Sequence, residues 1–523
     1  MIYDYVIIGG GTTGCVLAGL LSKNHKVILI EKGTNSNILN LFTEFPNGAF
    51  FTLKNKIFTK EYICEPSKNL NYRKLIWPRG EYLGGSSAIN GLIYKRGHES
   101  DFEYLFSKNL ISHNWKEIDK FYNEIEDKLG IKNNNNFQNS THNKNDIVDF
   151  FLESCQSNSY KLINSFVLIK NNFDSVCSRY DLTIKNFKRS YAANIFLNKN
   201  KNLKILYNSL VSKIIFANNK PIGVEIIKNK KKETIPFNKE IILSSGTINS
   251  PKILQLSGIG DKKILKSKGI KTIFNNKKVG QNLRDHLQTK LTYEVNSKNN
   301  LNYLKKNFWP KIKELSNFYF KNSGMLKEGA VRAGAFTGKA HNEEKYNFQI
   351  NLIVGSGQDV DAIDKFNGIS ISVNTLNPQS TGFISIKSNN PHEDPLIYPN
   401  YFNNYEDINK HLKGIKLIRK IANTKPLSNI IIKEKIPGNF INTDNELINF
   451  IKDYSTTIFH STGTCALGNN DEGVVDKNFR LIGFKNIRVC DASVLPRSVN
   501  GNPVATCYLL GYMLNDLLNN EKK

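Results

Sequence analysis

Nine histidines are spread over 523 residues, and one of them, His460, stands in the glycine-bounded stretch Phe459-His460-Ser461-Thr462-Gly463-Thr464-Cys465-Ala466-Leu467-Gly468. An imidazole titrates near neutral pH, so it can take or return a proton where most side chains cannot. Downstream, Val499-Asn500-Gly501-Asn502-Pro503-Val504 places two amides at the start of a helical run. On residue type alone, His460 reads as a structural histidine in a turn and Asn502 as a helix N-cap. Their chemistry depends on what they face. A third group sits at the other end of the chain, where Gly9-Gly10-Gly11-Thr12-Thr13-Gly14 is followed by Glu31. Gly9 permits a tight turn, Gly11 lets the backbone approach a pyrophosphate, and Gly14 allows close helix–strand packing. Glu31 can accept hydrogen bonds from a ribose 2′-OH, which argues against a 2′-phosphorylated cofactor.

The elements that would position these residues follow from hydrophobic patterning. Tyr3 to Ile8 and Lys26 to Ile30 are short β-branched runs of the buried parallel-strand kind, and Cys15 to Leu21 between them reads as a helix. This is the context a dinucleotide-binding fingerprint requires, with free helix N–H groups facing the phosphates. Leu83-Gly84-Gly85-Ser86-Ser87-Ala88-Ile89-Asn90 is a glycine loop that can lie against a flat ligand. Helices are expected over Asp101 to Leu129, Ile147 to Gln156 and Arg189 to Leu197, with a polar, low-complexity surface segment at Lys132 to Asp146. Lys204 to Leu206, Val211 to Phe216, Pro221 to Lys228 and Lys239 to Ser244 suggest a small meander. The last of these leads into a helix over Thr247 to Gly260 that Ser250 would cap ahead of Pro251. Val279 to His286 is a compact loop. From residue 290 onward, strands at Tyr346 to Val354, Ile369 to Leu376 and Gly382 to Lys387 imply an antiparallel sheet, with amphipathic helices at Asp407 to Thr424 and Asp444 to Tyr454.

Composition narrows the function classes. Lys and Arg total 72 against 46 Asp and Glu, a net charge of +26. The excess is dispersed as Lys among Asn and Ile, without any nucleic-acid-binding motif, so it reads as compositional drift with at most a weak attraction to anionic membrane surfaces. The seven cysteines lack metal-type spacing and read as reduced thiols, so no metal is expected. No apolar run reaches the ~18 residues of a membrane span. The first strand leaves no room for a signal peptide, so a cytoplasmic location is expected.

Taken in order, these motifs resemble the glucose–methanol–choline (GMC) family of FAD oxidoreductases over nearly the whole chain. The segments are Gly9 to Gly14 with Glu31, Arg79 to Arg96, Gly246 to Gly260, Val279 to His286 and His460 to Gly511. The resemblance implies an α/β fold (α+β overall): a Rossmann-like FAD-binding domain from 1–110, 190–290 and 456–523, and a substrate-binding cap from 111–189 and 291–455 with a six-stranded antiparallel sheet. It implies FAD contacts from Gly9, Gly11, Thr12, Thr13, Gly14, Glu31, Lys32 and Arg79. Further contacts are implied from Gly84, Gly85, Ser86, Asn90, Gly91, Leu92, Ile93, Val211, Gly246, Asp491, Ala492, Asn502, Pro503 and Val504. Ile89 stands where some members attach FAD through a histidine, so the cofactor is expected to be non-covalent. His460 matches the active-site histidine, with Ser461 replacing a customary proline. Asn502 stands where members carry a second His or an Asn, with Asn500 the rival for that place.

The implied reaction is oxidation of a primary or secondary alcohol, with oxygen or a quinone-like compound accepting the electrons. The substrate pocket is expected around Met325 to Phe336, Phe348 to Val354 and Ile369 to Leu376, and Glu328 could hold a cationic substrate, although a lone exposed glutamate is the simpler reading. Two other uses of the same fold are light-driven fatty-acid decarboxylation and a flavin-dependent lyase. A basic surface-binding protein with structural FAD is the reading from another class.

Overall fold

The computed structural model describes residues 2–131, 146–168, 175–321, 324–337, 348–357 and 362–521. The polar Lys132 to Asp146 segment, apart from its last residue, lies outside them, as do residues 346–347 of the expected strand.

A five-stranded parallel sheet runs in the order Leu203–Leu206, Val27–Ile30, Tyr3–Ile8, Phe237–Leu243, Ile487–Val489. Its central strands are buried on both faces, which is why they read as unbroken apolar runs rather than alternating ones. Leu203–Leu206 was expected in the meander. It instead joins this sheet beside Val27–Ile30, leaving Leu210–Ala217, Lys220–Lys228 and Lys231–Ile235 as the antiparallel unit. The helix Thr12–Leu21 packs against the last helix, Val504–Asn520, at close range. A Cβ on Gly511 would lie 2.7 Å from Val16 Cγ1, so only glycine permits that approach.

The second sheet has eight strands, with Ile431–Ile436, Leu287–Val295, Gly368–Thr375, Phe348–Ile353, Val331–Thr337 and Val176–Arg179 in antiparallel succession. Two short strands, Lys161–Leu162 and Thr456–Thr457, complete it. Phe383–Ser385 does not enter this sheet but forms a separate ribbon with Leu396–Tyr398. The helix Tyr405–Ala422 covers one face, and its Gly414 sits against Val373.

Three local expectations are corrected. Asp101 to Leu129 is two helices, Glu99–Ser107 and Trp115–Leu129, the second begun by an Asn114–Glu117 capping box. That second helix packs on the last helix within the parallel-sheet core, not with the cap to which its sequence position assigned it. The helix Gly246–Leu256 starts before Ser250 and holds Pro251 inside it, so Ser250 is no cap; its Oγ donates to Asp491 Oδ2 at 2.6 Å.

Candidate active site

One cavity of about 1320 Å³ runs between the two sheets. Gly9, Gly11, Thr12, Thr13, Glu31 and Lys32 line one end, and Arg79, His460, Ser461 and Asn502 line it as well. Gly85, Ser86, Asn90, Gly91, Leu92, Ile93, Val211, Gly246, Asp491, Ala492, Pro503 and Val504 also line it. Gly14 and Gly84 do not. A Cβ on Gly14 would lie 2.0 Å from the Gly9 carbonyl oxygen, the helix–strand approach expected of it, and one on Gly84 would meet the Tyr191 ring at 2.6 Å. Gly84 is therefore a packing turn, with φ of +99°.

The glycine end has the shape that a phosphate-bearing ligand requires. A Cβ at Gly11 would meet only the Ser244 carbonyl oxygen at 3.7 Å, and elsewhere along the cavity one at Gly91 or Gly246 would meet nothing within 4 Å, so bare backbone faces open space at all three. Glu31 accepts from Gly10 N (2.7 Å) through Oε2 and from Gly33 N (2.6 Å) through Oε1, which locks the carboxylate at the end of its strand. Burial pushes its pKa up to about 7, while those two N–H donors oppose the rise. Its remaining lone pairs suit ribose hydroxyls. Asp491 accepts from Gly246 N (2.9 Å), Ser250 Oγ and Ser493 N (2.8 Å), tying the two later glycine-rich segments together. The residues present thus fit a dinucleotide such as FAD, and Ile89, also lining the cavity, offers no atom for a covalent link.

At the histidine end, hydrogen bonding settles the tautomers. His286 Nε2 lies 3.0 Å from the Leu376 carbonyl oxygen, which can only accept, so that nitrogen carries the proton. Neutral His286 then presents the lone pair of Nδ1 to His460 Nδ1, 3.0 Å away, and His460 Nδ1–H is the donor. His460 Nε2 is left with a lone pair directed toward Asn502 Nδ2 at 3.2 Å. Burial pushes His286 down to about 4. Burial, then His286, then the Arg79 guanidinium hold His460 well below the usual imidazole range. Both rings are neutral at pH 7.

The supports come from distant segments. Asp285 accepts from His460 N (2.7 Å), from Thr457 Oγ1 (2.5 Å) and from the Tyr401 hydroxyl. Phe459, next to His460, is held at φ +67°, a backbone region that costs a bulky residue energy and here turns the histidine loop. Ser461, in place of proline, accepts from Arg79 Nη2 (2.8 Å), and its carbonyl accepts from Thr247 Oγ1 (2.8 Å). Asn502 Oδ1 accepts from Gln349 Nε2 (3.2 Å), which aims its NH₂ at His460. Asn502 is not an N-cap: that position is Pro503, with no side-chain cap bond. The rival Asn500 is fully buried on Asp101, Asn377 and Ser100 and does not line the cavity.

Asp285 and His286, expected only as residues of a compact loop, hold His460, and Gln349, inside the expected pocket segment Phe348 to Val354, holds Asn502. The adjacent Asp-His pair immediately before a strand was the available signal.

The cap side of the cavity presents Gln288, Gln349, Asn351, Ser370 and Ser372, with Val331 from the first expected pocket segment. Glu328 is not among the lining residues; it pairs with Arg332 at 3.3 Å and is neither exposed nor available to a cation.

The chain is similar to known proteins over nearly its whole length. The chain matches GMC oxidoreductase over residues 3–288 and again over 378–511. It is 31% identical to an alcohol dehydrogenase [acceptor] of Pseudomonas putida, across 97% of this chain and 94% of that one. It is 30% identical to an oxygen-dependent choline dehydrogenase of Citrobacter koseri, across 99% and 95%. Its fold superposes on pyridoxine 4-oxidase from Mesorbium loti with a TM-score of 0.81 at 22% identity, covering 99% of each chain. A formate oxidase of Aspergillus oryzae RIB40 gives 0.86 at 22% identity, covering 99% of this chain and 98% of that one. With a parallel-sheet half whose glycine turn fits a dinucleotide and a histidine–asparagine pair hydrogen-bonded to an antiparallel sheet, the chain belongs to the GMC oxidoreductase family.

Proposed function

We propose that the protein oxidises a primary or secondary alcohol to the aldehyde or ketone. The glycine end, Glu31 and the Asp491–Gly246 junction would hold FAD, which would supply the hydride acceptor, with oxygen or a quinone-like compound as the final electron acceptor. His460 Nε2 takes the hydroxyl proton, because its lone pair is fixed toward the cavity by the chain from Leu376 through His286. Asn502 Nδ2 donates to the same oxygen and orients the carbinol carbon. An alcohol holds its proton about as tightly as water does, so hydride leaves readily only as that proton is removed. The Gln349 contact keeps the Asn502 amide turned as a donor. The polar lining of the cap sheet favours an alcohol that carries further hydrogen-bonding groups, and it offers no carboxylate among its described residues for a cation.

The observation that carries this reading is the unprotonated His460 Nε2 facing Asn502. Anaerobic mixing with a panel of alcohols in the dark tests it. Bleaching of the oxidised flavin band is expected with at least one alcohol. Activity that needs blue light, or no bleaching with any alcohol, rejects it. In the His460→Ala variant, FAD stays bound and flavin reduction slows by roughly 10²-fold or more.

A further inference from the structure

The helix Phe308–Lys321 turns large apolar side chains to solvent. Among its described side chains, Pro310, Glu314, Ser316 and Asn317 are half-buried, and Glu314 Oε2 accepts from Met325 N at 2.6 Å. Its outward side is apolar, with Phe308 68%, Trp309 77% and Phe320 84% exposed, and Ile312 and Leu315 exposed beside them. At about 100° per residue, these five fall within an arc of roughly 140°. Lys311 and Lys313, both exposed, stand at the two edges of that arc, and exposed Lys306 lies just before the helix.

A second exposed apolar group stands nearby. The helix Asn37–Glu44 shows Ile38 and Leu41 to solvent, and the short helix after it shows Phe51. This segment is tied to the same turn, Met325–Lys327, that supports the long helix, through Asn47 Nδ2 to the Leu326 carbonyl oxygen (2.9 Å). Exposed Lys54 and Lys56 follow it. Pro46, Asn47, Ala49 and Leu53 of the segment also line the cavity, so the apolar surface adjoins the cavity wall.

An arc of large apolar side chains flanked by lysines, on a chain of net charge +26, is the pattern of a helix lying in the headgroup layer, with rings among the acyl chains and ammonium groups on anionic headgroups. We propose that Phe308–Lys321, with the segment around Ile38 to Phe51 beside it, docks the protein on an anionic lipid surface. No crossing of the bilayer is involved: no helix among the described residues is long and apolar enough to span it.

Sedimentation of the FAD-loaded protein with vesicles of phosphatidylcholine, alone or with about one-third phosphatidylglycerol, tests this. Binding is expected at near-physiological salt, at least about 10-fold tighter to the anionic vesicles. Trp309 emission should shift to the blue and be quenched by brominated acyl chains, while buried Trp77 is not. The double variant Ile312→Ser/Leu315→Ser should lose binding by about 10-fold or more, with unchanged FAD content and unchanged alcohol-driven bleaching in solution. Three results overturn the proposal. One is absence of sedimentation. Another is binding that survives the double variant and vanishes with salt alone, which assigns it to diffuse charge. The third is a wild-type dimer that the double variant dissociates, without lipid contact at Trp309, which assigns the face to a second copy of the chain.

Discussion

At the scale of single residues, the site is a statement about where protons are. His460 does not need to titrate near neutrality to act as a base; it needs to be neutral with the correct nitrogen free. Its pKa lies well below the ordinary imidazole value because burial, His286 and Arg79 all disfavour the cation. Accordingly kcat/KM for an alcohol should stay flat as pH falls from 8 toward 6, and a fall with a midpoint near 6.5 would contradict the assignment. His286 acts through His460. In His286→Leu the His460 Nδ1 proton loses its acceptor and the ring is free to adopt the other tautomer, so flavin reduction should slow by about 10-fold or more with little change in KM. An equal rise in KM would point to a distorted pocket instead. Glu31→Gln tests the other end. Both carboxylate oxygens receive backbone N–H groups, so a carboxamide must turn its NH₂ against one of them. Leaving one such donor unsatisfied costs about 1–3 kcal/mol, so retention of FAD on dilution should fall by about 10-fold or more.

Elements explain what could be read in advance and what could not. The strand–glycine–helix–strand–acid unit is local: every part lies within residues 3–31, and its spacing alone identifies a dinucleotide site. Asp444–Tyr454 was equally legible, since a Thr443–Glu446 capping box marks its start. Leu203–Leu206 was misplaced because a short strand carries no mark of its neighbour, and its partner Val27–Ile30 lies far back in the chain. Ser250 looked like a cap because serine before proline is a good helix start; tertiary contact with Asp491 uses the hydroxyl otherwise. The pairing of His286 with His460 links two loops whose residues are 174 positions apart, and no local pattern announces it. Packing between elements gives its own test. A methyl group on Gly414 would sit 2.6 Å from Val373 Cγ2, between a helix and a strand buried on both faces. Gly414→Ala should lower stability by about 1–3 kcal/mol, seen as a lower melting temperature with the flavin spectrum intact.

For the molecule as a whole, acid sensitivity follows from buried imidazoles. Burial lowers His286 to about 4 and His411 to about 3. A depressed histidine binds its proton in the unfolded chain first, so stability is complete above the unfolded value near 6.5 and is lost as pH falls from there toward the folded values. Between pH 6.5 and 4 these imidazoles therefore pull the melting temperature down, against the opposite pull of Glu31, and a His411→Asn variant should lose less over that window than the wild type.

The order of synthesis adds a consequence. The edge strand Ile487–Val489 closes the sheet begun by Tyr3–Ile8, and Val504–Asn520 packs on Thr12–Leu21. The strand and helix within residues 3–21 therefore complete their core only once residues 487–520 are present. A nascent chain stalled before residue 487 lacks the sheet edge, Asp491 and the final helix together. It should emerge unable to retain flavin, so cofactor capture comes only after these residues have been made.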